Sequence, residues 1–133
     1  MYPCPACGYL TLTEPPGSYG ICDVCGWEDD ALQLEFATTL AGGANALTLA
    51  DAQAAFATRA GRLARAWPGV TIPRERDPAW RPIDVAHDHF PQWNEEHPRR
   101  APVSDERLYY WRPTFWLHTP ATSRGTAADG QTT

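Results

Sequence analysis

Four cysteines near the N-terminus constrain this chain more than any other feature of its sequence. They form two Cys-x-x-Cys pairs, Cys4 with Cys7 and Cys22 with Cys25, and a glycine follows each pair. Two residues between cysteines let both sulfurs of a tight turn face one point about 2.3 Å away. The glycine permits the positive φ that such a turn commonly needs. The sequence therefore predicts that all four cysteines ligate one metal ion.

The residues favour zinc and a structural role for this site. The fourteen residues between the pairs are one short of the usual zinc pattern. Four thiolates leave no coordination position for water, and structural zinc sites contribute about 10 to 16 kcal/mol of binding free energy. Metal is therefore expected to decide whether this end folds. Iron in the same four thiolates is the main alternative, and disulfides or a redox-active pair are less consistent with a duplicated motif in an intracellular chain.

Local patterns predict a small α+β fold, a four-cysteine zinc β-ribbon with one amphipathic helix. Residues 9–13 alternate like a strand, residues 15–18 have turn chemistry, and residues 19–21 return to complete a hairpin. Thr48 can cap a helix with Asp51 in its first turn, and Pro68 and Gly69 end it. Apolar residues recur along this helix at steps of three and four: Leu49, Ala52, Phe56, Ala60, Leu63 and Trp67.

The chain divides into three parts by composition. The ribbon and helix occupy residues 1–67, and an irregular Pro- and Trp-rich extension that packs on them occupies residues 68–118. Residues 119–133 are small and polar and are predicted to be disordered. Residues 107–117 contain five aromatic side chains, which either cover the ribbon and helix as core or form a surface that binds a ligand or partner.

Charge is distributed unevenly and limits the classes of partner. The net charge is -5, all eleven basic residues are Arg, and Lys is absent, which excludes Schiff-base and phosphate-loop lysine chemistry. Residues 1–58 hold seven acids and no Arg, so the ribbon is expected to repel nucleic acid. There is no membrane-length apolar run and no N-terminal signal pattern, so we expect a cytoplasmic protein with no membrane partner.

Acidic residues directly after the second cysteine pair are the candidate partner-binding site. Trp27, Glu28, Asp29 and Asp30 follow a turn that the metal would hold rigid, and rigid charged groups recognise partners at little entropic cost. The expected partner is another protein with a basic surface. The alternative is that Trp27 is buried and the acids bond local backbone groups or Arg side chains.

A second metal site is the feature that would favour an enzyme. His87 and His89 would share one face of a strand and, with Asp84 or His97, could hold a metal that activates water. A solvated or capping histidine pair is the favoured interpretation, and no nucleophile motif is present. We therefore expect no enzymatic activity, with a metal-dependent hydrolase as the alternative.

The cysteine turns and their flanking residues resemble the bacterial cysteine-rich CPCC family. The resemblance covers about residues 3–62 and includes Cys4-Pro-Ala-Cys7-Gly8-Tyr9, Cys22-Asp-Val-Cys25-Gly-Trp27-Glu28-Asp29-Asp30 and Gly42-Gly43-Ala44-Asn45. It implies a small, cytoplasmic, zinc-ribbon-like protein without an established activity, and some relatives near toxin genes imply an immunity role. Ala6 stands where the family name places a further cysteine. The preferred interpretation is a protein-interaction or regulatory module, with a toxin-neutralising immunity protein as an alternative.

Overall fold

A computed structural model describes residues 1–96 and 101–118 of the chain. Two short strands, β1 (Tyr2–Pro3) and β2 (Leu10–Leu12), form an antiparallel pair that aligns Tyr2 with Leu12 and Pro3 with Leu10. The fold is small, with this two-stranded sheet, one long helix and four clustered cysteines. His97 and the C-terminal residues 119–133, for which the sequence predicts disorder, lie outside the described residues.

The predicted hairpin between residues 9–13 and 19–21 is wrong, because the two segments have other partners. β2 pairs with β1, and the backbone N–H of Leu10 donates to the Glu75 carbonyl at 2.7 Å. Residues 19–21 instead pair with residues 28–29, where the Asp29 N–H donates to the Gly20 carbonyl at 2.9 Å. Each cysteine pair therefore lies in a separate small hairpin, and a segment distant in the sequence completes the first one.

Two helices follow the second hairpin. Helix α1 (Ala31–Glu35) begins at the cap residue Asp30, and helix α2 (Leu49–Ala66) begins at Thr48. The Thr48 hydroxyl accepts a hydrogen bond from the Asp51 N–H at 3.1 Å, and α2 ends at Trp67, just before the Pro-Gly pair. The predicted cap and end of the long helix are both confirmed.

The aromatic run near the C-terminus belongs to the core. Two 3₁₀ turns, Glu106–Leu108 and Trp116–His118, bracket it, and Tyr109 and Tyr110 are almost completely buried. The Tyr109 and Trp111 rings stack with centroids 4.6 Å apart. These side chains share one core cluster with the cysteines and with Leu49 and Phe56 of α2. The core-packing interpretation of residues 107–117 therefore accounts for most of their aromatic side chains.

The apolar stripe of α2 extends past this core. Leu49 and Phe56 are buried, whereas Leu63 and the cap residue Trp67 are exposed. The second half of the helix therefore has an apolar face that the rest of the described chain does not cover. No helix within residues 1–96 or 101–118 is both long and apolar enough to cross a lipid bilayer.

Candidate metal centre

The two cysteine pairs adopt the same backbone turn. In the first turn, the Cys4 N–H donates to the Tyr9 carbonyl at 2.9 Å and the Gly8 N–H donates to the Cys4 carbonyl at 2.7 Å. The second turn repeats both bonds at 2.9 Å, from Cys22 to the Trp27 carbonyl and from Gly26 to the Cys22 carbonyl. Gly8 and Gly26 have φ values of 82° and 84°, in the left-handed region that glycine adopts without strain. We call these two turns the first and second knuckles.

The knuckles bring all four sulfur atoms together. Cys4 Sγ lies 3.6 Å from Cys25 Sγ, Cys7 Sγ lies 3.7 Å from Cys22 Sγ, and all four sulfurs lie within 4.8 Å of one another. A tetrahedral zinc site with 2.3 Å zinc–sulfur bonds has sulfur–sulfur edges of about 3.8 Å. The cluster therefore has the size of a four-thiolate metal site, and the predicted ligands Cys4, Cys7, Cys22 and Cys25 could hold a metal ion.

Hydrogen bonds and burial set the electrostatics of this cluster. Burial raises the pKa of the Cys4 thiol well above its usual value. Hydrogen bonds from the other thiols, Cys25 foremost, and from the Thr11 hydroxyl lower the pKa of Cys22. The Thr11 Oγ1 and the Val24 N–H lie 3.1 and 3.4 Å from Cys22 Sγ, where they stabilise a thiolate. Four thiolates so close together need a bound cation, because their mutual repulsion would otherwise keep most of them protonated.

Residues 75–77 brace the first knuckle from outside. Besides the Glu75 bond to β2, the Arg76 Nε–H donates to the Cys7 carbonyl at 2.8 Å, and the Asp77 N–H donates to the Gly8 carbonyl at 2.8 Å. The Arg76 guanidinium also lies 4.5 Å from the Tyr9 ring centroid. No residue pattern predicts this contact, because the acceptors are backbone carbonyls and their donors lie almost seventy positions away in the sequence.

Two side chains converge on the carbonyl between the first two ligands. The Pro5 carbonyl accepts a hydrogen bond from Gln53 Nε2 of α2 at 2.9 Å and another from Trp80 Nε1 at 3.0 Å. Gln53 also donates to the Tyr110 hydroxyl and accepts from the Ile83 N–H, both at 2.8 Å. One buried amide therefore joins α2, the first knuckle and the C-terminal extension.

The structure buries three of the four residues that the sequence predicts as an acidic recognition surface after Cys25. Trp27, Asp29 and Asp30 are at most 5% exposed, and only Glu28 is half-buried. Asp29 accepts hydrogen bonds from the Ser18 N–H and hydroxyl at 3.1 and 2.7 Å. Both carboxylates accept local hydrogen bonds, as the alternative interpretation of the sequence predicts.

Asp30 connects α1 to the glycine-rich loop at residues 42–45. Its Oδ1 accepts from the Leu32 N–H at 2.9 Å as the helix cap, and its Oδ2 accepts from the Ala44 N–H at 3.1 Å. A Cβ atom on Gly43 would lie 2.8 Å from the same Oδ2, so the loop passes too close to Asp30 for a larger residue. This close approach explains why a glycine occupies position 43, and it gives the loop a structural role.

Gln33 and Asn45 complete the attachment of this loop. Gln33 is fully buried, its Nε2 donates to three backbone carbonyls, and its Oε1 accepts from the Asn45 N–H at 2.9 Å. The Asn45 side chain accepts from the Glu28 N–H and donates to the Glu28 carbonyl, both at 2.8 Å. The sequence showed no signal for this network, because its function depends on a loop conformation that only the folded chain defines.

The alternative of a second metal site at His87 and His89 lacks a converging ligand set within the described chain. His87 Nδ1 lies 2.8 Å from Asp84 Oδ2 on the surface, and His89 is also exposed. Across residues 1–96 and 101–118, the four cysteines form the one group of three or more potential ligands close enough to share a metal. His97, the fourth residue considered for that site, lies outside these ranges.

Fold and site together define a small cysteine-rich protein whose core is organised around one four-cysteine cluster. The family model for cysteine-rich CPCC proteins matches residues 2–76, which is more than half of the chain. The chain belongs to the cysteine-rich CPCC family. No curated protein matches the chain. Ala6 is buried between the first two ligands, and the four-sulfur cluster is complete without a cysteine at that position.

Proposed function

We propose that this protein is a zinc-ribbon-like interaction module, in which the four cysteines hold a structural Zn²⁺ and the function is to bind another protein. The observation that supports the metal role is the convergence of four sulfurs at tetrahedral spacing, three of them on buried residues. A metal held by four thiolates has no free position for substrate or water. The site therefore stabilises the fold rather than performs a reaction.

The surroundings of the cluster fit a doubly negative zinc–thiolate centre. Zn²⁺ with four thiolates carries a formal charge of -2. The Arg76 side chain bonds the Cys7 carbonyl at 2.8 Å, and Arg59 Nη2 lies 3.4 Å from the Cys25 carbonyl. These two guanidinium groups lie next to one ligand of each knuckle, where they offset the negative charge.

A binding function is supported by what the chain leaves exposed. Its exposed large apolar side chains include Leu63, Trp67 and Val70. His87 and His89 lie on the surface, and within the described residues neither belongs to a group of three or more potential metal ligands. Exposed clustered apolar groups on a small protein are typical of a contact surface. Neutralising a toxin would be one form of this binding function, and a hydrolase at His87 and His89 is the alternative outcome of the test.

Metal content per chain tests the structural role. We expect one zinc in the purified protein and loss of that zinc in Cys4→Ser, with a large fall in thermal stability, because three thiolates and a hydroxyl bind zinc far more weakly. The matched control is the double variant His87→Ala, His89→Ala, which should retain zinc and differ in stability by at most about 0.5 kcal/mol. Full stability and metal content in Cys4→Ser would refute the structural site, and a second metal lost with the histidines would favour the hydrolase.

Capture of partners tests the binding role. The zinc-loaded protein, immobilised and crosslinked in an extract of its native host, should enrich a protein that chelator-treated protein does not. Hydrolytic activity that depends on His87 and His89, without any such partner, would overturn the proposed module.

A further inference from the structure

A groove lies beside the second half of α2, and none of the four cysteines lines it. Its volume is about 670 Å³. Its walls come from α2, from the chain that follows the helix, and from the two knuckles. The lining residues that matter for binding are Leu63, Trp67, Val70, Ile72, Arg59 and Arg74.

The apolar lining of this groove is largely exposed to solvent. Leu63 is 56% exposed, Trp67 62% and Val70 72%. A tryptophan so exposed beside other apolar side chains on a monomer is a typical anchor for a partner, because burying it removes a large apolar area from water. The groove is open and lined by aliphatic and indole surfaces, so its ligand must present apolar side chains.

Arginine predominates among the charges of the groove. Its lining contains Arg59, Arg74 and Arg76, and the chain between residues 52 and 74 has no acidic residue. Asp23 is the acidic residue in the lining, and it already pairs with Arg74 at 2.5 Å. Charge complementarity therefore selects an acidic partner. The proposed partner differs from the basic protein expected from the sequence, an expectation that placed Glu28, Asp29 and Asp30 on the surface.

We propose that the groove binds an acidic amphipathic helix of a partner protein, with the apolar face of that helix packed on Trp67 and Leu63. The proposal rests on the proposed binding function and specifies the chemistry of its partner. A groove with apolar walls and a basic rim matches a helix whose apolar residues recur at i, i+3, i+4 and i+7 and whose other face carries Asp and Glu.

Other occupants match these features less well. Nucleic acid needs a basic track with exposed stacking rings, and here the apolar walls provide one exposed indole. A membrane surface is contacted by a protruding apolar face rather than a groove. Residues 119–133 of this chain contain one acid and no large apolar residue, so they lack the anchors that the groove would bind.

The walls of the groove are held in place before any ligand binds. Arg76 lies at one side, where it bonds the Cys7 carbonyl and contacts the Tyr9 and Trp80 rings at 4.5 and 4.8 Å. Phe56 anchors the helix side in the core. Because the groove walls need little further ordering when a ligand binds, truncation of the Trp67 side chain should directly lower the affinity for that ligand.

A peptide titration tests the groove. The probe is a labelled synthetic helix-forming peptide with Leu on one face and Glu on the other, and its counterpart carries Lys in place of Glu. In fluorescence anisotropy with the zinc-loaded full chain, the Glu peptide should bind at least about tenfold more tightly than the Lys peptide. Trp67→Ala should weaken this binding at least about 30-fold.

A matched pair of valines provides the control. Val70 lines the groove and is 72% exposed, whereas Val85 is 75% exposed and does not line it. Val70→Asp should weaken binding of the Glu peptide about tenfold or more, and Val85→Asp should change it less than twofold. Equal effects of the two substitutions, or equal binding of the Glu and Lys peptides, would overturn the proposal.

Further measurements separate this proposal from the proposed function. Binding of anionic vesicles or of single-stranded oligonucleotides that depends on Trp67, without binding of the Glu peptide, would overturn the groove assignment. Self-association of the protein in sedimentation experiments, if Trp67→Ala abolishes it, would also overturn the groove assignment. If a native protein partner is captured equally by wild type and Trp67→Ala, the groove is wrong and the binding function stands. If no protein partner is captured and the peptide does not bind, both fail.

Discussion

The two knuckle glycines provide an internally controlled test of how the C-terminal extension packs on the metal centre. Gly8 and Gly26 occupy equivalent positions with nearly equal φ values, but a Cβ on Gly8 would lie 2.5 Å from a Trp80 ring carbon. A Cβ on Gly26 would meet no atom within 4 Å. The backbone cost of alanine is the same in both knuckles, so the difference in stability between Gly8→Ala and Gly26→Ala measures the contact with Trp80.

The expected energies follow from these contacts. Alanine at positive φ costs roughly 1 to 2 kcal/mol in either knuckle. Ordinary carbon–carbon contacts are about 3.5 to 4.0 Å, so the Trp80 ring would have to move by about 1 Å. That shift would weaken the ring's hydrogen bond to the Pro5 carbonyl and its stacking with Arg76, which together contribute about 1 to 2.5 kcal/mol. We expect Gly8→Ala to destabilise the protein by about 2 to 4.5 kcal/mol and Gly26→Ala by about 1 to 2 kcal/mol.

The assay is denaturant unfolding of the zinc-loaded variants. Their free energies of unfolding are compared where the denaturant slope m is the same as in the wild type. A double-mutant cycle isolates the contact. In a Trp80→Ala background, Gly8→Ala should cost no more than Gly26→Ala does in the same background. Equal costs for the two glycine substitutions in the wild-type background would refute the packing of Trp80 on the first knuckle.

Two further substitutions test the polar contacts of the extension. Gln53→Met keeps the side-chain volume but leaves the Ile83 N–H without its acceptor. Denaturant unfolding should therefore show a free energy of unfolding lower by about 1 to 3 kcal/mol. The control is Gln92→Met at an exposed position, which should lower it by less than about 0.5 kcal/mol. The Arg81 guanidinium holds the pKa of Asp88 below its usual value, so this pair stabilises the fold above about pH 4 and the contribution is lost as pH falls through the lowered pKa. Asp88→Asn should therefore cost about 1 kcal/mol at neutral pH and progressively less in unfolding experiments at lower pH, and a cost independent of pH would contradict the ion pair.

The sequence alone determined the features that depend on short-range geometry. Each knuckle is set by two cysteines, the two residues between them and one glycine, so the four cysteines that cluster could be predicted without knowledge of the rest of the fold. Thr48 and Asp51 fixed the start of α2 and the Pro-Gly pair its end, because caps act through neighbouring backbone groups. The family resemblance followed from the same local residues, and the match over residues 2–76 confirms it.

Only the tertiary structure decided how these pieces are joined and which of them remain exposed. The partner of β2, the bracing of the first knuckle by Arg76 and the bonds made by Gln53 depend on long-range contacts to backbone carbonyls, which have no side-chain signature. Burial is likewise a property of the whole fold. The sequence left open whether Asp29 and Asp30 are surface charges or local acceptors, and the structure shows that they bond local donors. Trp67 continues an apolar stripe but lies beyond the end of the core. A periodic pattern shows which side chains share a face, and the packed chain decides whether anything covers that face.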